Sequence, residues 1–479
     1  MGKTNNILNS GAHIHFVGIG GIGMSGIAKV AHARGFKVSG SDIKASNSTE
    51  SLESAGIHVS IGHSADNLPC PYPDVVVIST AILENNPELV LAKEKNLQIW
   101  HRAQMLAALG HGKKTLAVSG THGKTSTSSM LATVVDALGE NPSFLIGGVV
   151  FAYASNAHVG TGDFYIVEAD ESDKSFTYLN PTAVLVTNIE LDHLDHYSDI
   201  LEINDLFSQF MTSVPVEDGI CVICADDKNL VDLAAKVDRK LITYGFSEVA
   251  DVRIYNYRAF GQGCACEVAF PDSTTHSVQL LQNPGRHNAQ NAAGVLAMCF
   301  SLGLDVKAAA SALSSFKGVK RRFDQIGLVN NICVVDDYAH HPTEIAATIN
   351  AAKSLGFKKI HVLFQPHRYS RAPLFTEILK DEFASAFTQA DTTTIMDVYS
   401  AGEMPIPGVT GKSFMNVIAE NPENSQCYYI PRRMDVISHL LGLAKPGDLV
   451  ITMGAGDVSA LAPELVSAIA ASGSAGGLS

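Results

Sequence analysis

The sequence predicts an α/β protein built from three successive parallel-sheet domains, and three observations carry that expectation. Its 479 residues suffice for about three domains. Short apolar runs alternate with helix-period stretches, the pattern of βαβ units around parallel sheets. Glycine-rich turns stand twice between a strand-like and a helix-like segment, at residues 18–23 and 120–126. With 46% hydrophobic and 17% charged residues, the chain can bury cores of that size and is not of disordered composition.

The elements follow in order. In residues 1–110, HIHFVGIG reads as a strand, MSGIAKVAHARG as a helix ended by Gly35, and FKVSGSD and DVVVIST as further strands. HRAQMLAALGHGK reads as a helix running into a Gly/Lys junction near residue 111. Residues 111–322 open with the buried-strand pattern TLAVSG, a glycine turn and the helix TSTSSMLATVVDALG. The runs FYIVEAD, AVLVTNI, ICVICA and KLITYGF follow, then the helix HNAQNAAGVLAMCFSLG, and FKGVKRRF marks a boundary near residue 320. Residues 323–479 repeat the alternation with NICVVDDYAHHP, KIHVLFQPH, TTTIMDVY and DLVITMGAGD. In open parallel sheets, ligands gather where the strands end.

The net charge of −14, from 34 basic and 48 acidic residues, disfavours nucleic acid and anionic membrane as partners. An anion site on such a chain must be local. No run of about 18 apolar residues suggests a membrane span, and MGKTNNILNSGAHIHF lacks the features of a signal peptide. The expected compartment is the cytoplasm. Cys221 and Cys224, like Cys264 and Cys266, fall in strand-like runs and read as small buried hydrophobes rather than a zinc set.

In GIGGIG, Gly18, Gly20 and Gly23 satisfy G-x-G-x-x-G, with Gly21 between them and Asp42 19 residues after Gly23. Such a turn lets a diphosphate approach helix N-terminal amides, and an acid at the next strand end suits a ribose hydroxyl. The motif alone does not say which nucleotide. GTHGKTS supplies Gly120, Thr121, His122, Gly123, Lys124, Thr125 and Ser126 in a P-loop-like order, although Val118 stands where a strict motif has its first glycine. Backbone amides there would cradle phosphates, Lys124 would reach the terminal ones, and the Thr125 hydroxyl would help hold Mg²⁺. VEADESD then crowds Glu168, Asp170, Glu171 and Asp173 at a strand end, oxygen donors of the kind Mg²⁺ prefers. A second acidic run places Asp192, His193, Asp195 and His196 after another strand. A dehydrogenase has no use for the second loop, and a simple NTPase none for the first. An enzyme that joins a nucleotide-linked substrate to ATP chemistry uses both.

HFVGIGGIGMSGIA, SGTHGKTST, VEADESD, TNIELDHLDH, GRHNAQNAAG, KRRFD, DDYAHHP, QPHRYSR and GAGD occur in that order, and from about residue 13 to 457 the chain resembles the Mur ligase family. The resemblance implies a Rossmann-like N-terminal domain for the UDP-sugar, a P-loop-type central ATPase domain, and a Rossmann-like C-terminal domain for the amino acid. It implies that ATP phosphorylates the lactyl carboxylate of UDP-N-acetylmuramate and that the amine of L-alanine then displaces phosphate.

Carried over residue by residue, it makes Lys124 and Thr125 the ATP-phosphate and Mg²⁺ residues, Glu168 the main metal carboxylate and His193 the second metal ligand. Asn288 and Asn291 become adenine contacts and Arg322 the arginine on the ATP phosphates. Asp337 becomes the ribose contact, and Tyr338, His340, Arg368 and Arg371 surround the amino acid. The catalytic set is then Lys124, His193, Arg322 and His340, with deprotonation of the amine open between solvent and His340. Ser126 stands where the family commonly has Thr, and Ala339 where it commonly has Gly. Other readings are a ligase of the same group adding a different amino acid or peptide and, from a different class, a nicotinamide-dependent oxidoreductase. Monomer and homodimer both stay open.

Overall fold

The computed structural model describes residues 8–475 other than 173, 193–196, 198 and 425, and its strands form three sheets. The first contains β1 (His13–Val17), β2 (Lys37–Asp42), β3 (His58–Ile61), β4 (Val75–Ile78) and β5 (Gln98–His101) in the order β3-β2-β1-β4-β5, all parallel. The central strand β1 is buried along its whole length, its two histidines included, because the rings of His13 and His15 bond Ser39 at 2.9 Å. The returns are α1 (Ile22–Ala33), α2 (Asn47–Ser54), α3 (Pro87–Glu94) and α4 (Arg102–Leu109). Gly35, at φ +87°, turns the chain out of α1 into β2, as its place in the sequence suggests.

The chain falls into two compact units, Met1–Ile254 with Val268–His276 and Gln290–Leu313, and Tyr255–Glu267 with Ser277–Ala289 and Ser314–Ser479. The first unit holds the N-terminal sheet together with β6 (Lys114–Ser119), β7 (Ser143–Val150), β8 (Ser155–His158), β9 (Phe164–Glu168), β10 (Ala183–Val186), β11 (Ile220–Cys224), β12 (Lys240–Gly245) and the start of β13 (Val252–Phe260). Their order is β8-β7-β9-β6-β10-β11-β12-β13, and β7–β8 is an antiparallel pair. The helices between and after these strands are α5 (Lys124–Ala137), α6 (Ile200–Thr212), α7 (Lys228–Ala234), α8 (Arg286–Ser301) and α9 (Val306–Ala312).

Within this unit the N-terminal helices are fastened to the second sheet. Asn156 donates to the Ile22 carbonyl at 3.0 Å, the Tyr165 hydroxyl to the Leu106 carbonyl at 3.3 Å, and the Arg34 guanidinium covers the Tyr165 ring at 5.5 Å. Cys221 and Cys224 are buried in β11, and burial pushes their thiols up to about 12.

In the second unit, the outer part of β13 runs beside β14 (Gly263–Ala269) and β15 (Thr275–Leu280), in that order. Its main sheet is β16 (Asp324–Val329), β17 (Ile332–Asp337), β18 (Ile360–Phe364), β19 (Thr392–Ile395), β20 (Cys427–Tyr429) and β21 (Leu449–Met453), ordered β16-β17-β21-β18-β19-β20. Only the edge pair β16–β17 is antiparallel. Helices α10 (Pro342–Lys353), α11 (Lys380–Ser385), α12 (Gly411–Glu420), α13 (Arg433–Leu443) and α14 (Leu461–Ala475) complete it. One core cluster packs Val334, Leu363 and Val450 of the sheet against Val436, Leu461 and Leu465 of the helices. No helix among the described residues is long and apolar enough to cross a membrane.

Candidate active site at two glycine turns

Where β1 ends, Gly18 takes φ +78°, and the amides of Gly18 and Ile19 both donate to the Ser41 carbonyl at 2.8 Å. The Gly20 amide donates to Asp42 Oδ2 at 2.8 Å, and a methyl group on Gly20 would stand 2.9 Å from that oxygen. Asp42 therefore clamps the turn from the end of β2. Gly21 caps α1, and Gly23 lies in its first turn, where a methyl group would come 3.1 Å from Arg102 Nη1.

Behind the turn, the Ser41 hydroxyl donates to the wholly buried Glu88 at 2.8 Å. That carboxylate also bonds His15 Nε2 at 2.9 Å, His63 Nδ1 at 3.0 Å and Asn67 at 3.1 Å. Burial opposes ionisation of Glu88, but the bonds from His15, Ser41, Asn67 and His63 outweigh it and hold the carboxyl below its ordinary value.

At the second turn Gly120 takes φ +132°, and a methyl group there would lie 2.1 Å from Thr187 Oγ1 and 3.0 Å from the Asn188 backbone. Only glycine fits. The Thr121 amide donates to the Asn188 carbonyl at 3.0 Å and the His122 amide to Asn188 Oδ1 at 2.8 Å, which pins the turn to the end of β10. Gly123, at φ +83°, is the N-cap of α5, and the Asn291 side chain lies against it.

Lys124 Nζ donates to the carbonyls of Gly120 at 2.7 Å and Thr121 at 3.1 Å and to Glu171 Oε1 at 2.8 Å. Burial works against its charge, but Glu171, Asp170 and Glu168 prevail and raise its pKa. Thr125 Oγ1 donates to Glu168 Oε1 at 3.0 Å, while the Gly147 amide holds Oε2 at 2.8 Å. Burial raises the Glu168 carboxyl above its ordinary range. Asp170 sits lower than usual because Lys124, Ser172 and Arg102 overcome its burial, and Arg102 Nη2 lies 3.5 Å from Asp170 Oδ2. Ser126 follows in the first turn of α5.

In the second unit, Asp337 is buried at the end of β17, where burial pushes it up to about 6. Its two oxygens accept the amides of Phe323 at 2.7 Å and Ala339 at 2.8 Å, so this carboxylate pins the KRRF segment to the DDYAHHP loop. Ala339 is not among the positive-φ residues, so its methyl group strains nothing where the family commonly has glycine.

The two arginines of KRRF divide the work. Arg321 pairs with Asp336 at 3.1 Å and donates to the Gly454 carbonyl at 2.6 Å, while Arg322 lies 3.7 Å from Glu344. Both guanidiniums flank the Tyr338 ring, at 4.9 and 5.2 Å. His340 Nδ1 stands 3.0 Å from the Tyr338 carbonyl, and its ring is 6.4 Å from that of His367. Burial with Arg368 and Arg371 pushes His367 down to about 4. Arg368 adopts φ +67° and lies 4.0 Å from Glu403, and Arg371 covers the Phe375 ring at 5.2 Å. Asn288 donates its side-chain amide to the Pro284 carbonyl at 2.8 Å, fixing the start of α8.

Three sequence profiles match in succession: "Mur ligase family, catalytic domain" over residues 13–114, "Mur ligase middle domain" over 118–299, and "Mur ligase, glutamate ligase domain" over 321–456. The UDP-N-acetylmuramate--L-alanine ligase of Geotalea uraniireducens is 45% identical over 453 residues, 95% of this chain and 97% of that one. Its counterpart in Bradyrhizobium diazoefficiens is 42% identical over 93% of this chain and 95% of that one. Among solved structures, the UDP-N-acetylmuramate-alanine ligase of Thermotoga maritima aligns with a TM-score of 0.78 at 29% identity, covering 96% of this chain and 100% of that one. The chain belongs to the Mur ligase family.

As a Mur ligase, this chain offers Mg²⁺ a fitting donor set, an oxygen-only pair of hydroxyl and half-buried carboxylate from Thr125 and Glu168. His193, the metal ligand that the resemblance adds, lies outside the described residues, as do Asp173, Asp195 and His196. Two residues packed around the first turn escape motif reading. Arg102 looks like an ordinary helix residue, although it directly follows the C-terminal end of β5, the edge where parallel sheets bind ligands. Glu88 is the other, and its partners are 21 to 73 residues away in sequence.

Proposed function

We propose that this Mur ligase joins L-alanine to the lactyl carboxylate of UDP-N-acetylmuramate at the expense of ATP, a step of peptidoglycan precursor synthesis in the cytoplasm. The chain is an enzyme of the ligase class. One observation carries the reading: the GIGGIG turn and the GTHGKT turn share one compact unit, and Arg102 reaches from beside Gly23 to Asp170, next to Lys124. A nucleotide diphosphate on the first and a triphosphate on the second would place acid and phosphoryl donor on one side of that unit. The choice of substrates draws on the relatives, since full-length matches at 42–45% identity carry the L-alanine ligase name. A ligase adding a peptide is not favoured, and a nicotinamide oxidoreductase would leave Lys124 and Glu168 without a purpose.

In this reading residues 1–110 bind the UDP-sugar, 111–322 bind ATP and 323–479 carry the amino acid. Lys124 neutralises the terminal phosphates as a lactyl oxygen attacks the γ-phosphorus and ADP leaves. Gly120 and Gly123 let the loop backbone approach those phosphates, with Thr121, His122 and Ser126 in the same turn. Mg²⁺, held by Thr125, Glu168 and His193, would supply charge neutralisation at the phosphates. Asn288 and Asn291 face the adenine, Asp337 the ribose and Arg322 the phosphates.

The amine of L-alanine, held by Tyr338, His340, Arg368 and Arg371, then attacks the acyl carbon, and the tetrahedral adduct expels inorganic phosphate to leave the amide. His340 Nδ1 faces the Tyr338 carbonyl, so a neutral ring keeps its proton there and presents Nε2 as the acceptor for the amine's proton. A coupled phosphate-release assay with UDP-N-acetylmuramate, ATP and each amino acid in turn tests the reading. Release that depends on both the sugar nucleotide and L-alanine is expected, and release with another amine donor but not with L-alanine overturns the assignment.

A further inference from the structure

Two neighbouring loops leave the main sheet of the second unit at the carboxyl ends of its strands. Residues 365–371 follow β18, and residues 396–403 follow β19, its parallel neighbour. The loops continue side by side. His367 and Tyr399 form an isolated parallel bridge, and their rings stack at 5.7 Å and 13°. Within this pair Arg368 takes φ +67°, a left-handed conformation that persists in a non-glycine residue only where the surroundings hold it. Its amide donates to the Tyr399 carbonyl at 2.8 Å. A second hold comes from Glu403. Its Oε2 accepts the Ser370 amide at 3.0 Å, its Oε1 accepts the Ser370 hydroxyl at 2.7 Å, and Oε1 also stands 4.0 Å from Arg368 Nε. Burial opposes ionisation of Glu403, but the bonds from Ser370 and the Tyr369 amide, with the charge of Arg368, outweigh it and keep the carboxyl below its ordinary value. A loop acid ordinarily faces water. This one exposes 26% of its side chain and commits both oxygens to the turn that carries Arg368.

We propose that Glu403 is a positioning residue for the amino-acid substrate: it holds the left-handed HRYSR turn and so steers Arg368 toward the carboxylate of L-alanine. A loop carboxylate bonded to Arg368 directly would compete with the substrate carboxylate for the same guanidinium. Anchored on Ser370 instead, Glu403 orients Arg368 from the Nε side and acts only through it, as a supporting group does for a side chain that must be held in one geometry. This inference rests on the ligase reading above, which gives Arg368 to the amino acid.

The test is phosphate release by the full chain, with each substrate varied in turn and wild type measured first. A wild-type chain inactive with UDP-N-acetylmuramate, L-alanine and ATP overturns the reading and the inference together. With an active wild type, Glu403→Gln keeps a carbonyl acceptor for Ser370 but loses the charge, and it is expected to raise KM for L-alanine about three- to tenfold. Glu403→Ala loses both and should raise it about ten- to hundredfold. KM for ATP and for the sugar nucleotide, and kcat at saturating L-alanine, should stay within about twofold, the pattern of lost binding at one substrate. Arg368→Ala tests the route. In that background Glu403→Gln should change KM for L-alanine by less than about twofold, because the group it steers is gone. An equal rise in all three KM values would mark a merely structural role. A full further rise on top of Arg368→Ala would mean that Glu403 meets the amino acid itself. Either result overturns the inference while the ligase reading stands. So does an unchanged KM for L-alanine in Glu403→Gln, whose matching shape lets that variant decide the matter if the alanine variant does not fold.

Discussion

At residues 18–23 and 120–126 the chain makes the same move, from a buried parallel strand through glycines into a helix, and finishes it in opposite ways. The first turn contains no charge of its own. Its amides are held by Ser41 and Asp42 from the next strand, and the cation beside it, Arg102, belongs to α4. The second carries Lys124 within the turn and faces it with Glu168, Asp170 and Glu171 from one strand end. A turn with a built-in cation is ready for a mobile polyanion such as a triphosphate. A turn whose cation is recruited from elsewhere can be tuned to the rest of its ligand, as a turn for a large sugar nucleotide requires.

The largest expected effect separates the two cations. Lys124→Ala should lower kcat for phosphate release about 10²–10³-fold, the scale of losing one positioned charge donor at a phosphoryl centre, and leave binding of the sugar nucleotide within about twofold. Steady-state release together with calorimetric binding of UDP-N-acetylmuramate reads both quantities. A Lys124→Ala enzyme that keeps its kcat and loses sugar-nucleotide binding would reverse the roles given to the two turns.

A middle-sized effect distinguishes the glycines. Gly120→Ala forces a methyl group to 2.1 Å from Thr187 Oγ1 at a φ of +132°, against β10 and its adjoining backbone. It should cost about 2–4 kcal/mol of stability, seen as a lowered chemical-denaturation midpoint. Gly23→Ala meets only the far end of the Arg102 side chain and lies within a helix, so its stability should stay within about 1 kcal/mol of wild type while KM for the sugar nucleotide rises about three- to tenfold. Equal destabilisation by both substitutions would show that the first turn is as rigid as the second.

What the sequence made legible follows from the range of each signal. Strand–turn–helix order is local, and β1, α1, β6 and α5 lie where the apolar runs and glycines put them. Lys124, Thr125 and Glu168 come from contiguous motifs, and the structure bonds the threonine to Glu168 and the lysine to Glu171 of the same acidic run. The antiparallel β7–β8 pair was not legible, because no period of apolar residues distinguishes it from a βαβ return. Nor were Arg102 and Glu88, whose partners come from other elements and are brought near only by folding. In KRRF, two adjacent arginines look equivalent. Only the fold assigns Arg321 to Asp336 and the Gly454 carbonyl and leaves Arg322 to Tyr338 and Glu344.

The smallest effect concerns what stands behind the first turn. Ser41 presents its carbonyl to Gly18 and Ile19 and its hydroxyl to Glu88, so the buried carboxylate braces the diphosphate turn indirectly. Behind the second turn, backbone and side chain of Asn188 hold the Thr121 and His122 amides, and Asp227 Oδ2 accepts the amide of the next residue, Ile189, at 2.7 Å. Because bonds from His15, Ser41, Asn67 and His63 overcome the effect of burial and lower the folded Glu88 pKa, its carboxylate contributes stability fully above the ordinary value of about 4.5. That contribution is lost as pH falls through the lower folded value. Glu88→Gln, equal in shape but uncharged, should therefore cost about 1–3 kcal/mol near neutrality, and the gap to wild type should narrow on acidification through that window. Denaturant unfolding of both chains between pH 7 and pH 3 would measure it. A gap that stays constant over this range would mean that Glu88 acts through hydrogen-bond shape alone.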